Sequence, residues 1–268
     1  MEAAAFGYVQ QLVKDHAGIV VESCKEYLAQ SRLTSVAREQ GFATLEQLVA
    51  QLRGQPFAEL HRRLVEAFTI NETSFFRDQR PFDALRTTIL PQLARSGRQL
   101  TIWCAAASSG QEPYSIAMLV REHYPQLASR TRIIASDLSR EMIARTNAGV
   151  YSQFEVGRGL SASAIKRFMT PVAGGWQVVP ELRAMVETRE INLARPLPAL
   201  PEIDVLFARN VLIYFDVATR QTTLNRMKRV LAPDGVLILG GGESLLDLDV
   251  ELARCPAATT TPWYRHRA

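Results

Sequence analysis

Downstream of Pro81 the chain alternates between short β-rich runs and helical stretches, and this alternation restricts the fold more than any other feature. "QLTIWCA", "RTRIIASD", "MVETREINL", "IDVLFARN" and "GVLILGGG" are the β-rich runs. "PYSIAMLVREHY", "REMIARTNAG" and "ATRQTTLNRMKRVLA" are helical in pattern. Strands separated by helices imply right-handed crossovers, hence a mostly parallel sheet covered on both faces. The rhythm breaks between Tyr151 and Glu187, where "SASAIKRFM" predicts a helix and "GGWQVVPELRAMVETR" a hairpin. That segment reads as an insertion into the α/β domain. The tail "TTTPWYRHR" predicts a last antiparallel edge strand.

Upstream, apolar residues recur at helical spacing from Ala5 to about Phe68. "FGYVQQLVKDHAGI" and "EYLAQSRLTSVAREQG" predict helices, the second stopped by Gly41. Thr44, with Glu46 and Gln47 behind it, predicts a helix start before "LEQLVAQL", and Pro56 predicts the start of "PFAELHRRLVEAF". The expected organisation is a helical domain over 1–69, a linker over 70–80, and an α/β domain over 81–268 with an inserted β-subdomain at about 151–187.

Charge and composition narrow the function classes. The first 70 residues carry seven Lys/Arg and eight acids, a net of −1, so the +4 of the whole chain leaves +5 for the rest. Neither part holds a dense basic block interleaved with aromatics, which argues against nucleic-acid binding. No run of about 18 uncharged apolar residues is present, so a membrane span is not expected. An acid stands where a secretory leader would have a basic region, and a cytoplasmic protein is expected. Three scattered cysteines (Cys24, Cys104, Cys255) suit reduced thiols rather than a zinc site or disulfides. The four histidines, equally scattered, read as surface residues or hydrogen-bonded fillers. Nothing demands a metal or an obligate oligomer, and a monomer is expected.

Ligands of open α/β sheets bind beyond the carboxyl ends of the strands, so the residues after each strand carry the chemistry. The first strand runs into "CAAASSGQEPYSIAM", whose small residues let a ligand approach the backbone. It has one glycine, no lysine, and an acid, Glu112, where a phosphate would be repelled; no phosphate fingerprint is present. Glu112 there is either a group for a positively charged ligand or an ordinary helix-N-terminal acid. Asp137 ends "IIASD", where an acid can grasp a ribose diol or cap the helix beginning near Ser139. Asn192 follows "REI", and Arg209, Asn210 and Tyr214 follow the run in "LFARNVLIYFD", where the asparagine could equally cap a turn. Together these describe a nucleoside-type pocket that avoids phosphate, for which S-adenosylmethionine is suited.

Several stretches in order, "NETSFFRD", "WCAAASSGQEPYSIAM", "ASDLS", "INL", "FARNVLIYFD" and "LAPDGVLILGGGESL", resemble the chemotaxis receptor methyltransferases, the CheR family. They span nearly all of residues 70–245. The resemblance implies a Rossmann-like S-adenosylmethionine-dependent methyltransferase domain with an N-terminal helical domain and an inserted β-subdomain. It implies methyl transfer from S-adenosylmethionine to glutamate side chains in the cytoplasmic signalling domain of chemoreceptors, the methyl-accepting chemotaxis proteins, leaving S-adenosylhomocysteine. By matching position it implies that Asn71, Thr73 and Arg77 face the cofactor side and that Glu112 meets the methionine ammonium. It further implies that Asp137 meets the ribose hydroxyls, that Asn192, Leu193, Arg209 and Asn210 complete the pocket, and that Arg77 and Tyr214 lie nearest the reacting carboxylate.

Two departures stand out. The compact "FMTPVAGGWQVVPE" lacks the longer, glycine-bearing loop of members that dock on a receptor's C-terminal tether, so tether-independent action is expected. "YLAQSRLTSVAREQ" carries only Arg32 and Arg38 where the family's second helix can be strongly basic. Two other functions share the pocket: a methyltransferase of small molecules or other protein residues with the helical domain as a lid, and a non-catalytic S-adenosylmethionine-binding regulator. Retention of both Arg77 and Tyr214 disfavours the regulator.

Overall fold

The computed structural model describes residues 2–255 and 261–267. The helical domain is α1 (Ala3–Ala17), α2 (Glu26–Glu39), α3 (Leu45–Arg53) and α4 (Glu59–Ala67). Their apolar stripes meet in one core, in which Val9, Val13, Leu33, Leu48 and Leu64 are fully buried. Gly41 at φ 77 follows the end of α2, as the left-handed turn there requires. The Thr44 hydroxyl caps α3 by accepting the Gln47 N–H at 3.2 Å, and Gln47 Oε1 accepts the Ala43 N–H at 3.1 Å. The fourth helix starts at Glu59 rather than Pro56. Its start is set by His61, whose Nδ1 accepts the Ala58 N–H at 3.1 Å while Nε2 meets the Leu52 carbonyl at 2.9 Å.

The remainder runs α5 (Gln79–Ala84), a π-helical turn over Leu85–Ile89, α6 (Leu90–Leu93), β1 (Leu100–Ala105), α7 (Gln111–His123), α8 (Pro125–Ala128), β2 (Thr131–Asp137) and α9 (Arg140–Ala148). Then come β3 (Val150–Tyr151), α10 (Gln153–Gly157), α11 (Ala162–Phe168), β4 (Met169–Val172), β5 (Gly175–Val178), α12 (Pro180–Arg183) and β6 (Val186–Glu190). The chain finishes through β7 (Ile203–Ala208), α13 (Val217–Val230), β8 (Leu231–Leu239), β9 (Leu252–Arg254) and β10 (Trp263–His266). The main sheet has the order β6-β2-β1-β7-β8-β10-β9, parallel from β6 to β8. Residues of β1 alternate between the two covering layers: Ile102 and Cys104 join the core with α7, Trp103 and Ala105 the core with α13. This is the doubly covered parallel sheet that the strand–helix alternation implies.

Two local readings change. The tail strand is antiparallel but interior, since β10 pairs with both β8 and β9; Thr259 and Thr260 of the quoted run lie outside the described residues. The short β9 takes the edge, and three residues of which only Leu252 is buried gave no strand signal. The hairpin also sits one strand earlier than expected. It joins β4 to β5, and β3 completes a separate three-stranded sheet of order β3-β5-β4. "VETRE" instead becomes β6, the edge of the main sheet paired with β2, because α12 carries the chain back across.

Candidate active site

The carboxyl ends of β1, β2 and β7, the turn after β6 and the segment Thr69–Thr73 enclose a cleft of about 900 Å³, open to solvent. Asn71, Thr73, Arg77, Glu112, Asp137, Asn192, Leu193, Arg209, Asn210 and Tyr214 all line it. Residues from four strand ends and from the interdomain segment thus converge on one cleft.

Asp137 closes β2 and is 6% exposed. Its Oδ2 accepts the Ser108 N–H at 2.8 Å and its Oδ1 the Ser139 N–H at 2.9 Å. Burial raises its pKa above the usual carboxylate value, against the opposing pull of those backbone donors. The cap of α9 is Ser139, whose hydroxyl accepts the Met142 N–H at 3.4 Å, so Asp137 anchors the preceding turn. Along the loop after β1, Ala106, Ser108 and Gly110 all have left-handed backbones, at φ 59, 51 and 93. That coiled path brings the Ser108 amide to Asp137 and its hydroxyl to the Asn71 carbonyl at 2.8 Å.

Arg209 is a hub rather than a free cation. Its side chain is 3% exposed and one guanidinium nitrogen donates to Glu112 Oε2 at 2.7 Å. Another donates to the Arg77 carbonyl at 2.7 Å and lies 3.9 Å from Asp78 Oδ2, while its carbon sits 5.7 Å over the Phe82 ring. Glu112 therefore faces the cleft already paired, which the spacing of the sequence could not reveal. Burial, with Glu112 as a nearby anion, pushes the Cys104 thiol well above its usual pKa; it stays an unionised core group.

The segment "NETSFFRD" divides between core and cleft. Phe75 is 1% exposed and meets Tyr151 edge-on at 5.0 Å, and Phe76 meets Phe82 at 5.1 Å. Arg77, partly exposed, donates to the Glu72 carbonyl at 2.7 Å. Phe76 and Asp78 take left-handed backbones, φ 49 and 57, which turn successive side chains to core, cleft and Arg209.

The helical domain also forms part of the wall, through Ala17 and Ile19. Asn192 Nδ2 donates to the His16 carbonyl, and its Oδ1 accepts the Ala194 N–H at 3.0 Å. Val20 N–H donates to the Tyr214 carbonyl at 2.8 Å, beside a bridge between Ile19 and Phe215. Lys14 pairs with Asp216 at 2.9 Å. Nothing local in "DHAGIV" marks these residues as cleft-forming. Glu243 went unassigned as well; the three glycines of "GGGES" were its signal.

Residues 71–260 match the family described as "CheR methyltransferase, SAM binding domain", and residues 4–69 match "CheR methyltransferase, all-alpha domain". The chain belongs to the CheR methyltransferase family. Chemotaxis protein methyltransferase Cher2 of Pseudomonas putida is 39% identical over 235 residues, 85% of this chain and 86% of that one. Chemotaxis protein methyltransferase 1 of Pseudomonas aeruginosa is 39% identical over 252 residues, covering 91% and 92% of the two chains. Chemotaxis protein methyltransferase 1 of Vibrio cholerae is 36% identical over 251 residues, covering 91% of each. This CheR chain is an S-adenosylmethionine-dependent methyltransferase.

The cleft fits that cofactor. Its charged lining is Glu72, Arg77, Glu112, Asp137 and Arg209, three acids to two arginines with no lysine, so it is no phosphate cradle. The run of backbone amides after β7 that could hold an anion is filled from within by Glu243.

Proposed function

We propose that this CheR methyltransferase esterifies glutamate side chains on the cytoplasmic helices of chemoreceptors. The observation that carries the reading is the convergence of Arg77, from the interdomain segment, and Tyr214, from the loop after β7, on the cleft floored by Asp137. The names of the relatives support chemotaxis as the setting. We read the chain as a recognition domain at 1–69, an active-site segment at 70–80 and a catalytic domain at 81–268, acting as a cytoplasmic monomer. No helix among the described residues is long and apolar enough to cross a membrane.

When bound, S-adenosylmethionine supplies an electrophilic methyl group on a sulfonium and leaves as S-adenosylhomocysteine. Asp137, with spare lone pairs on oxygens already fixed by Ser108 and Ser139, accepts the ribose hydroxyls. Glu112 meets the ammonium with its direction set by Arg209, and Asn71, Thr73, Leu193 and Asn210 complete the walls. Asn192 works through its backbone, because both ends of its side chain are engaged by protein. A glutamate of pKa near 4.3 is ionised at neutral pH, so the transfer needs no general base. What it needs is placement, a gain that reaches about 7–11 kcal/mol in well-oriented systems. Arg77 steers the carboxylate and the Tyr214 hydroxyl holds its register, orienting more than attracting, since tight ground-state binding would slow the step.

Tether independence has support in the β-subdomain. Val179 N–H donates to the Phe168 carbonyl at 3.0 Å, so positions 168, 170 and 172 face β5 and Met169 and Pro171 face outward. Pro171 removes a donor from the open edge of β4, where an added strand would pair.

The test is incubation of the purified protein with methyl-labelled S-adenosylmethionine and receptor cytoplasmic fragments, with and without their C-terminal tails. Base-labile label on glutamates of both fragments is expected. Label on other residues, or cofactor binding without transfer, would overturn the assignment; label confined to tailed fragments would overturn tether independence.

A further inference from the structure

The cleft depends on a carboxylate that is not among its lining residues. Glu243 lies in the turn after β8 and is 7% exposed. Its Oε1 accepts the Val211 N–H at 3.0 Å and the Leu212 N–H at 2.8 Å; its Oε2 accepts those of Asn210 and Gly240, both at 2.8 Å. Three of the four donors are consecutive amides leading into the 3₁₀ turn Leu212–Tyr214. Amides at the start of a helical turn have no partner within it, and together they make an anion nest. Asn210 holds φ 57, a backbone that side-chain-bearing residues rarely adopt. A Cβ on Gly240 would stand 2.7 Å from Glu243 Oε2 and 2.9 Å from the Asn210 nitrogen, so only glycine lets the two loops close on the carboxylate.

We infer that Glu243 is a positioning residue for methyl transfer. Its carboxylate fixes the backbone from Asn210 to Leu212, and the turn it organises carries Tyr214 to the cleft, where the Tyr214 carbonyl is pinned from the other side by the Val20 N–H. An amide of the same shape cannot replace it. Glutamine turns one of its two acceptors into a donor, which faces backbone N–H groups that are donors themselves. The inference rests on the methyl-transfer reading for its kinetic arm, and on geometry alone for its structural arm.

The structural arm is hydrogen exchange of the full-length Glu243→Gln protein. Exchange at Asn210–Leu212 is expected to rise while α1–α4 keep wild-type protection; unchanged exchange there overturns the inference. Glu243→Asp, which keeps the charge, serves where the glutamine variant does not fold, and is expected to protect these amides better than Glu243→Ala. Equal exchange in those two variants overturns it as well. The kinetic arm compares Glu243→Gln, Tyr214→Phe and the double variant with labelled cofactor and receptor fragments. Misplacement of about 1 Å costs on the order of 100-fold in favourable cases; a fall in kcat of roughly 10-fold to 100-fold is expected, larger than the change in KM for S-adenosylmethionine. The double variant should fall no further than the worse single one, because the two residues act as a unit. Multiplying losses would refute action through Tyr214. Wild-type protein that labels no receptor glutamate would instead refute the substrate assignment, leaving the exchange result to decide on Glu243.

Discussion

Replacing Arg209 with methionine tests whether the cleft is built around a buried ion pair. The side chains of Arg209 and Glu112 are 3% and 12% exposed and meet at 2.7 Å. An exposed pair would contribute about 0.2–1 kcal/mol, whereas breaking a buried one by removing a single partner costs about 3–5 kcal/mol, because the other charge is stranded. The exposures place this pair in the second regime. The bond to the Arg77 carbonyl is lost as well, while the methionine stem retains part of the packing on Phe82. The net expectation for Arg209→Met is about 3–5 kcal/mol. At roughly 2–4 °C per kcal/mol for domains of 150–250 residues, the melting temperature should fall by about 6–20 °C. Adding Glu112→Gln removes the stranded charge, so the double variant should be more stable than the sum of the single losses predicts, by about 0.5–3 kcal/mol. Calorimetry and urea unfolding of the four proteins read both quantities. A single-variant loss below about 1 kcal/mol, or strict additivity, would refute the buried-pair description.

Other perturbations probe the seam between the domains and the chemistry. Gly18→Ala puts a side chain at φ 72 with its Cβ 2.9 Å from Ala194 Cβ and Thr219 Cγ2; urea unfolding should show a loss of about 2–4 kcal/mol, and S-adenosylhomocysteine should bind more weakly because Ala17 and Ile19 line the cleft. Asp216 has its pKa lowered to about 2, mainly by the Thr219 side chain and amide and then by Lys14. Its contribution is therefore present above the usual carboxylate value of 3.8 and lost as pH falls through about 2; the stability gap between wild type and Asp216→Ala should shrink across that window, and a constant gap would contradict the linkage. Arg77→Ala should depress label transfer far more than Arg63→Ala on the helical domain, with equal activities speaking against the carboxylate-steering role.

What was legible in the sequence is what local pattern encodes. Period-3.6 stripes gave the four N-terminal helices, continuous apolar runs gave β1, β2, β7 and β8, and the polar residue at each strand end pointed to the cleft. The misplaced features lack a local signal. No periodicity distinguishes a four-residue helix such as α12 from a hairpin turn, yet α12 decides whether "VETRE" pairs with β5 or β2. The start of α4 followed a hydrogen bond donated by the Ala58 N–H to His61 Nδ1, which displaced the boundary that proline alone would set.

The candidate site shows the same division more sharply. Asp137 and Glu112 were legible as residues because Asp137 ends β2 and Glu112 opens the helix beyond β1, where ligands of open α/β sheets bind, but their states were not. Whether Glu112 meets the cleft as a bare charge depends on Arg209, which lies 97 positions away in the chain; whether Asn192 has a free amide depends on the His16 carbonyl, 176 positions away. These partners are brought together only by sheet order and by the docking of α1, so residue type at a strand end carries no information about them. Motif matching shares this blindness, since it transfers a position without its bonding. A site assembled from the ends of separate strands is therefore read from sequence as a list of groups. Which of them remain free to act on a ligand is a property of the long-range contacts, and here those contacts leave Arg77 and Tyr214 at the cleft while committing Arg209, Asn192 and Glu243 to holding it open.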